Sequence, residues 1–400
     1  MSGMNRRDFL KQVAALAALL QLPGLPAAVA QIGKDEELLA LLRELGKHEE
    51  MTVYRASPLN AGSPLEPLRA AQETPADIFY LRNHAPVPAL DADSWRLEVD
   101  GLVERPLSLS LADLQRDFPR HEQVATLQCA GFRRQEMLNE ENAWGALLWR
   151  SDAIGNGRWG GVRLRDVLEV AGVQAEAKHL AALGLDEIEK FGATIGFGGS
   201  IPIDKALREE ILLADELNGA PLPAAHGWPL RLVVPGFIGA RSVKWLGRLT
   251  LQAGESDNYF QQRAYKVFPP DVDTDMTEPG AGEPLGDLVV NSVFITPAAD
   301  AELAAGPQLL RGIAIASQPL VMVELSLDGG ESWQEAGLSG AGRWSWRFWE
   351  AEVELAPGDY ELVVRARDQT GNTQPPTVEE IWNYKGYMTN HWQRRHITVV

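Results

Sequence analysis

Apolar residues recur at helical spacing early in the chain: Leu38, Leu41, Leu42 and Leu45 mark one face of a predicted helix from Glu36 to Glu50. A Pro-, Ala- and Gly-bearing stretch follows to about residue 75 and is expected to wrap the surface as a loose loop. From Phe79 to about Gly254, short apolar runs such as Trp95–Val99 and Leu230–Val234 predict strands. They alternate with short helical patterns, Leu164–Ala171 and Lys205–Glu210, and Gly155-Asn156-Gly157 and Gly198-Gly199 read as turns. No period of about 20–50 residues repeats, which excludes solenoids and propellers. Residues 269–286, acidic with Pro and Gly, predict a linker. Beyond them the period becomes two. Val321, Val323, Leu325 and Leu327 alternate, Asp328-Gly329-Gly330 supplies a hairpin turn, and Tyr360, Leu362 and Val364 alternate after Pro357-Gly358-Asp359. The expected fold class is α+β. A mixed α/β domain over 79–268 is followed by an all-β, immunoglobulin-like sandwich over 287–400.

The first thirty residues form a separate pattern. Asn5-Arg6-Arg7-Asp8-Phe9-Leu10-Lys11 is a twin-arginine sequence, an apolar run extends from Val13 to Leu22, and Ala28-Val29-Ala30 offers a small-residue cleavage site. The run is shorter than the ~20 residues of a membrane span. Residues 1–30 are therefore expected to be a leader that exports a folded protein to the periplasm, and residues 31–78 an N-terminal helix and wrapping segment. No integral membrane segment is expected.

Composition narrows the chemistry. A formal net charge of −18 argues against nucleic acid, whose phosphates need excess Lys and Arg, and fits a basic protein partner. With one cysteine the chain can form no internal disulfide. It also has no Cys-x-x-Cys-His for covalent haem and no cysteine cluster for iron–sulfur or structural zinc. The seven histidines are scattered. The single Cys lies in Thr126-Leu127-Gln128-Cys129-Ala130-Gly131-Phe132-Arg133-Arg134. A lone Cys ending an apolar strand is usually a small buried hydrophobe. Two arginines within five residues point the other way, because nearby positive charge favours thiolate, a soft metal ligand or nucleophile. Leu81-Arg82-Asn83-His84 sets a cation and an imidazole before a rigid Pro-x-Pro, and Arg231, Arg241 and Lys244 flank Pro235-Gly236-Phe237-Ile238-Gly239, where backbone could approach an anion. Taken singly, each of these reads more readily as a surface salt bridge than as a binding site.

Together the segments resemble the sulfite oxidase family of molybdenum enzymes. The likeness runs in order from about Phe79 to Val400 through Arg82-Asn83-His84, Thr126–Gly131, Gly157-Arg158-Trp159, His226-Gly227-Trp228-Pro229, Val243-Lys244-Trp245, Tyr265-Lys266, Ser326–Gly330, Ile381-Trp382-Asn383 and His391-Trp392-Gln393-Arg394. The resemblance implies one molybdopterin cofactor, with Cys129 as the protein ligand to molybdenum. It implies a cofactor cradle of Tyr80, Arg82, Asn83, His84, Asp186, His226, Arg231, Ser242, Val243 and Lys244. The substrate anion, sulfite, is expected among Arg82, Arg134 and Arg394, beside Trp149 and Tyr265. Planar guanidinium forks match its oxygens, and a tyrosine hydroxyl can bond the reacting oxygen without adding charge. The sandwich is expected to dimerise. No haem is expected in this chain, so electrons are expected to pass to a separate c-type cytochrome.

One residue departs from the pattern: family members commonly carry Asn where this chain has Phe132. The apolar ring is either packing behind the metal loop or the mark of a changed substrate, such as another sulfur oxyanion or a carrier-bound sulfane sulfur. A nitrate or sulfoxide reductase with the same cofactor is the rival enzyme reading, and an exported immunoglobulin-like binding protein the non-enzymatic one.

Overall fold

In the computed structural model the described residues are 35–143, 145–272 and 281–400. The twin-arginine leader lies outside them, as does part of the 269–286 linker. Asp35 caps the first helix, accepting from Leu38 N at 2.9 Å. The helix ends at Glu44 rather than Glu50, because Gly46 turns left-handed just beyond it. The segment expected to wrap loosely is ordered instead. Strand Thr52–Arg55 pairs with Asn60–Gly62, and Asn60, Ala61 and Ser63 are buried.

Two sheets build the N-terminal half. One runs in the order Gly198–Pro202, His179–Gly184, Leu246–Gln252, Leu97–Gly101 and Leu107–Leu109, antiparallel except where Leu246–Gln252 lies parallel to Leu97–Gly101. In the other, Ile154–Arg163 lies between Arg120–Gln128 and Leu212–Leu217, which continues to Ala220–Pro221 and Arg231–Val233. Both share a core of Leu97, Val99, Leu180, Leu249, Val162, Leu213 and Leu232, onto which helix Leu164–Ala171 presses Leu164, Val167, Leu168 and Ala171. That helix has the predicted bounds. The predicted helix Lys205–Glu210 is instead a single turn, Ile203–Ala206.

Neither glycine pair is a turn. Gly155 and Gly157 lie inside Ile154–Arg163, where an added Cβ would meet the Phe79 ring at 2.8 Å and Leu217 at 2.6 Å. Gly198 and Gly199 open a strand. These glycines serve close packing within strands.

The C-terminal half is a sandwich. Its four-stranded sheet holds Asn291–Thr296, Gly306–Ile315, Arg347–Leu355 and Gly337–Ser339. Its five-stranded sheet holds Ala301–Leu303, Gln393–Val399, Gly358–Asp368, Leu320–Ser326 and Gln334–Glu335. Phe294, Val323, Leu325, Trp349, Leu362 and Val364 fill the space between the sheets. A third cluster crosses the boundary: Val293, Ile313 and Trp346 of the sandwich pack into the same core as Ala125, Leu127, Cys129 and Phe132. The α+β class holds, and the Cys129 loop is built where the halves meet.

Candidate active site

Gln128 is the last paired residue of its strand, and the chain then turns tightly: Phe132 N donates to Cys129 O at 3.0 Å and Cys129 N to Ala153 O at 3.0 Å. Cys129 is a free thiol, 6% exposed, and Gly131 N approaches its sulfur at 3.4 Å. The two arginines beyond it do different work. Arg133 turns away, its guanidinium fully buried against Glu136 at 2.6 Å, Asn291 at 2.8 Å and His391 O at 2.8 Å. Arg134 donates to Leu147 O at 2.9 Å and Lys385 O at 2.9 Å and lies 4.8 Å over the Tyr387 ring.

Cys129 lines two cavities. The inner one is bounded by Tyr80, Arg82, Asn83, His84, Asp186, His226, Arg231, Ser242 and Lys244. Of the predicted cradle only Val243 is outside it; that side chain is buried in the core of the two sheets. Asn60 positions one wall, its Oδ1 accepting from Arg82 Nη1 at 3.1 Å and Asn83 N at 2.9 Å. Arg82 Nη2 donates to His84 Nε2 at 2.8 Å. Because a guanidinium only donates, that nitrogen must carry a lone pair, and His84 is neutral. Arg231 donates to His226 O at 2.9 Å and Ser242 O at 3.1 Å and leaves Nε without a partner. Lys244 donates to Asn83 Oδ1 and to Ala225 O.

Arg82, Arg231 and Lys244 face one carboxylate, Asp186, in this cavity. Burial pushes Arg231 down to about 10, and burial with neighbouring cations holds Lys244, His84 and His226 well below their ordinary values. Desolvated like charges of this kind are relieved by a bound anion. An orphaned guanidinium nitrogen, excess cationic donors and a thiol at the cavity's edge fit a phosphate-bearing pterin whose metal takes one sulfur ligand.

The outer cavity opens from Cys129 through Arg55, Arg82, Arg134, Arg263 and Lys385, with Tyr259, Tyr265 and Tyr387, and among the described residues no carboxylate lines it. Arg82, Cys129 and Tyr265 border both cavities. Tyr265 Oη sits 3.2 Å from His84 Nε2, its ring stacks on Tyr387 at 5.6 Å, and burial raises its pKa. Lys385 is anchored on Arg263 O and Ala264 O, and burial lowers its ammonium to about 8.

Two expectations need correction. Arg394 is not among the substrate cations: it lies in a sandwich strand, bonded to Glu361 at 2.7 Å and Gly329 O at 3.0 Å. The cation that the sandwich does supply is Lys385, two residues past the Trp382-Asn383 motif. Trp149 lines neither cavity; it is fully buried with its ring centroid 4.5 Å from that of Tyr54. Phe132 is packed in the core behind the loop, in agreement with the packing reading of that position. Arg55 and Asn60 were invisible in a segment read as surface, although a Tyr-Arg ending an alternating run was a usable signal.

Residues 84–260 match the oxidoreductase molybdopterin binding domain, and residues 283–400 match the Mo-co oxidoreductase dimerisation domain. Fold and site thus define a molybdopterin oxidoreductase with a dimerisation domain. The chain is 42% identical to sulfite oxidase of Gallus gallus over 361 residues, covering 87% of this chain and 78% of that protein. It is 40% identical to mitochondrial sulfite oxidase of Rattus norvegicus over 368 residues, covering 88% of this chain and 66% of that protein, so it spans just under two thirds of that relative's length. The structure matches the sulfane dehydrogenase SoxCD of Paracoccus pantotrophus with a TM-score of 0.74 at 26% identity, covering 94% of this chain and 93% of that one. The chain belongs to the sulfite oxidase family. Its two matched regions are those of a molybdopterin-dependent oxidoreductase and of a Mo-co oxidoreductase dimerisation domain.

Proposed function

We propose that this protein oxidises sulfite to sulfate in the periplasm, after export by the twin-arginine route, and passes the electrons to a separate c-type cytochrome. The observation that carries the substrate reading is the outer cavity: Arg55, Arg82, Arg134, Arg263 and Lys385 converge on the opening beside Cys129, with no carboxylate among the described residues that line it. Such a wall favours a small, highly charged oxyanion and rejects cations. Sulfite and water give sulfate, two protons and two electrons, and each reduced cytochrome carries one electron away. When bound at Cys129, molybdopterin supplies the two-electron sink and the oxygen-atom transfer. Arg82 and Arg134 orient the anion, and Tyr265, kept as a neutral phenol by burial, donates a hydrogen bond at the border of the two cavities. Buried His84 stays neutral and accepts from Arg82, which fixes that guanidinium.

The SoxCD likeness favours a second substrate, carrier-bound sulfane sulfur, in the same cavity. Steady-state reduction of cytochrome c by sulfite, beside the Cys129→Ser variant, tests the first reading. The expected result is turnover with sulfite and a loss of roughly 100-fold or more in the variant, the scale of removing one essential stabilising group. Absence of sulfite turnover in metal-loaded wild type, with turnover on a sulfane-sulfur donor, selects the second reading.

A further inference from the structure

Lys47 and His226 meet behind the inner cavity. Lys47 follows the first helix by three residues, and its ammonium enters the interior. Nζ lies 2.5 Å from Ala76 O, 2.9 Å from Phe79 O and 2.6 Å from His226 Nε2. As an ammonium, the form that a bound anion favours, Lys47 has three hydrogens and no lone pair, so its three close partners must then all be acceptors. Two are carbonyls. The third can accept only if Nε2 carries its lone pair.

We infer that Lys47 is a positioning residue for the cofactor: by donating to His226 Nε2 it holds the imidazole as the neutral Nδ1–H tautomer. His226 then turns a donor, rather than a lone pair, toward an anionic group in the cavity. The inference rests on the chain's binding of molybdopterin. It does not depend on the substrate.

The surroundings make the choice of tautomer consequential. His226 lines the cavity with Arg231 and Lys244, whose side chains only donate, and Nδ1 has no partner among the described residues. The opposite tautomer has an acceptor waiting, because Ala76 O lies 3.2 Å from Nε2. Lys47 decides between them, while the Phe79 ring, edge-on at 5.4 Å and 72°, limits rotation of the imidazole. Burial alone pushes Lys47 down to about 7, with Asp77 as its one opposing charge, and Lys47 in turn helps to hold His226 neutral. An anion in the cavity raises Lys47 again, so anion binding and charging of Lys47 favour each other.

The test uses holoprotein labelled with 15N in its histidine rings, compared with Lys47→Met, which keeps the aliphatic length, and Lys47→Arg, which keeps a cationic donor. The expected wild-type spectrum shows His226 protonated at Nδ1 with Nε2 as the unprotonated nitrogen. In Lys47→Met the proton moves to Nε2, and molybdenum and pterin are lost on gel filtration about 10–100-fold faster, the usual cost of removing a partner behind a ligating histidine. Lys47→Arg restores both properties. In a His226→Phe background Lys47→Met adds little further loss. The inference is overturned by an Nε2–H tautomer in wild type, or by Lys47→Met retaining cofactor normally. It is equally overturned if Lys47→Met speeds cofactor loss as much without the His226 ring, which makes Lys47 a structural prop. Should Lys47→Met fail to accumulate, the wild-type spectrum and the His226→Phe comparison with Lys47→Arg still decide.

Discussion

Lys385 brings the sandwich into the substrate cavity, and its charge state makes substrate affinity depend on pH. Burial lowers its ammonium from an ordinary 10.5 to about 8, with Lys266 adding repulsion, so the charge is mostly present at pH 7 and mostly lost by pH 9.5. An ionic hydrogen bond contributes about 1.5–3 kcal/mol, and partial exposure places Lys385 near the lower figure, about tenfold in affinity. Lys385→Met is therefore expected to raise KM for sulfite about tenfold at pH 7 with a smaller effect on kcat. The sign follows from the titration: as pH rises through about 8, wild type loses the charge the variant never had, and the two KM values converge. The assay is cytochrome c reduction from pH 6.5 to 9.5, plotted as the ratio of variant to wild-type KM, in which the substrate's own ionisation cancels. A ratio constant across that range, or a defect confined to kcat, refutes the assignment of Lys385 to ground-state anion binding.

Three further outcomes are expected. Asp152 is buried, bonded to Tyr54 Oη at 2.7 Å with Oδ1 unpaired, and pushed up to about 7. Its contribution to stability is complete below about pH 4 and is lost as pH rises through 7, on the order of 4 kcal/mol in all. Asp152→Asn, which cannot ionise, should raise Tm at pH 8, flatten its decline between pH 4 and 8, and change little at pH 4. Arg394→Met should alter kcat/KM by less than about twofold, since it removes a partly exposed pair with Glu361 remote from both cavities; a tenfold loss restores Arg394 to the site. Tyr265→Phe should lower kcat about 10²–10³-fold with cofactor content intact, as for loss of one oriented donor, measured by turnover normalised to molybdenum.

Periodicity made some of this molecule legible before its structure. The helix start at Asp35-Glu36, the helix Leu164–Ala171 and the buried alternation of Val323 and Leu325 all come from local rules, whereas Val321 is exposed beside a register shift and Leu327 lies just past the strand. Gly155-Asn156-Gly157 misled because a glycine that makes room for Phe79 and Leu217 is indistinguishable, in sequence, from one that makes a turn. Residues 52–63 misled because short strands buried by distant partners leave no period of their own.

The site shows the same division. Cys129 and most of the cradle were carried by contiguous motifs. Arg55, Asn60, Lys47 and Lys385 come from segments whose approach is set by tertiary packing. Arg394 failed for a related reason: motif adjacency placed it near the site, but its strand register sets it opposite Val363, beside Glu361.

The ligand role of Cys129 is tested most directly by X-ray absorption at the molybdenum edge on wild type and Cys129→Ser. One fewer sulfur neighbour around the metal in the variant is predicted, with the pterin still bound. An unchanged sulfur count, or wild-type protein whose Cys129 is freely alkylated while fully loaded with metal, would contradict the account.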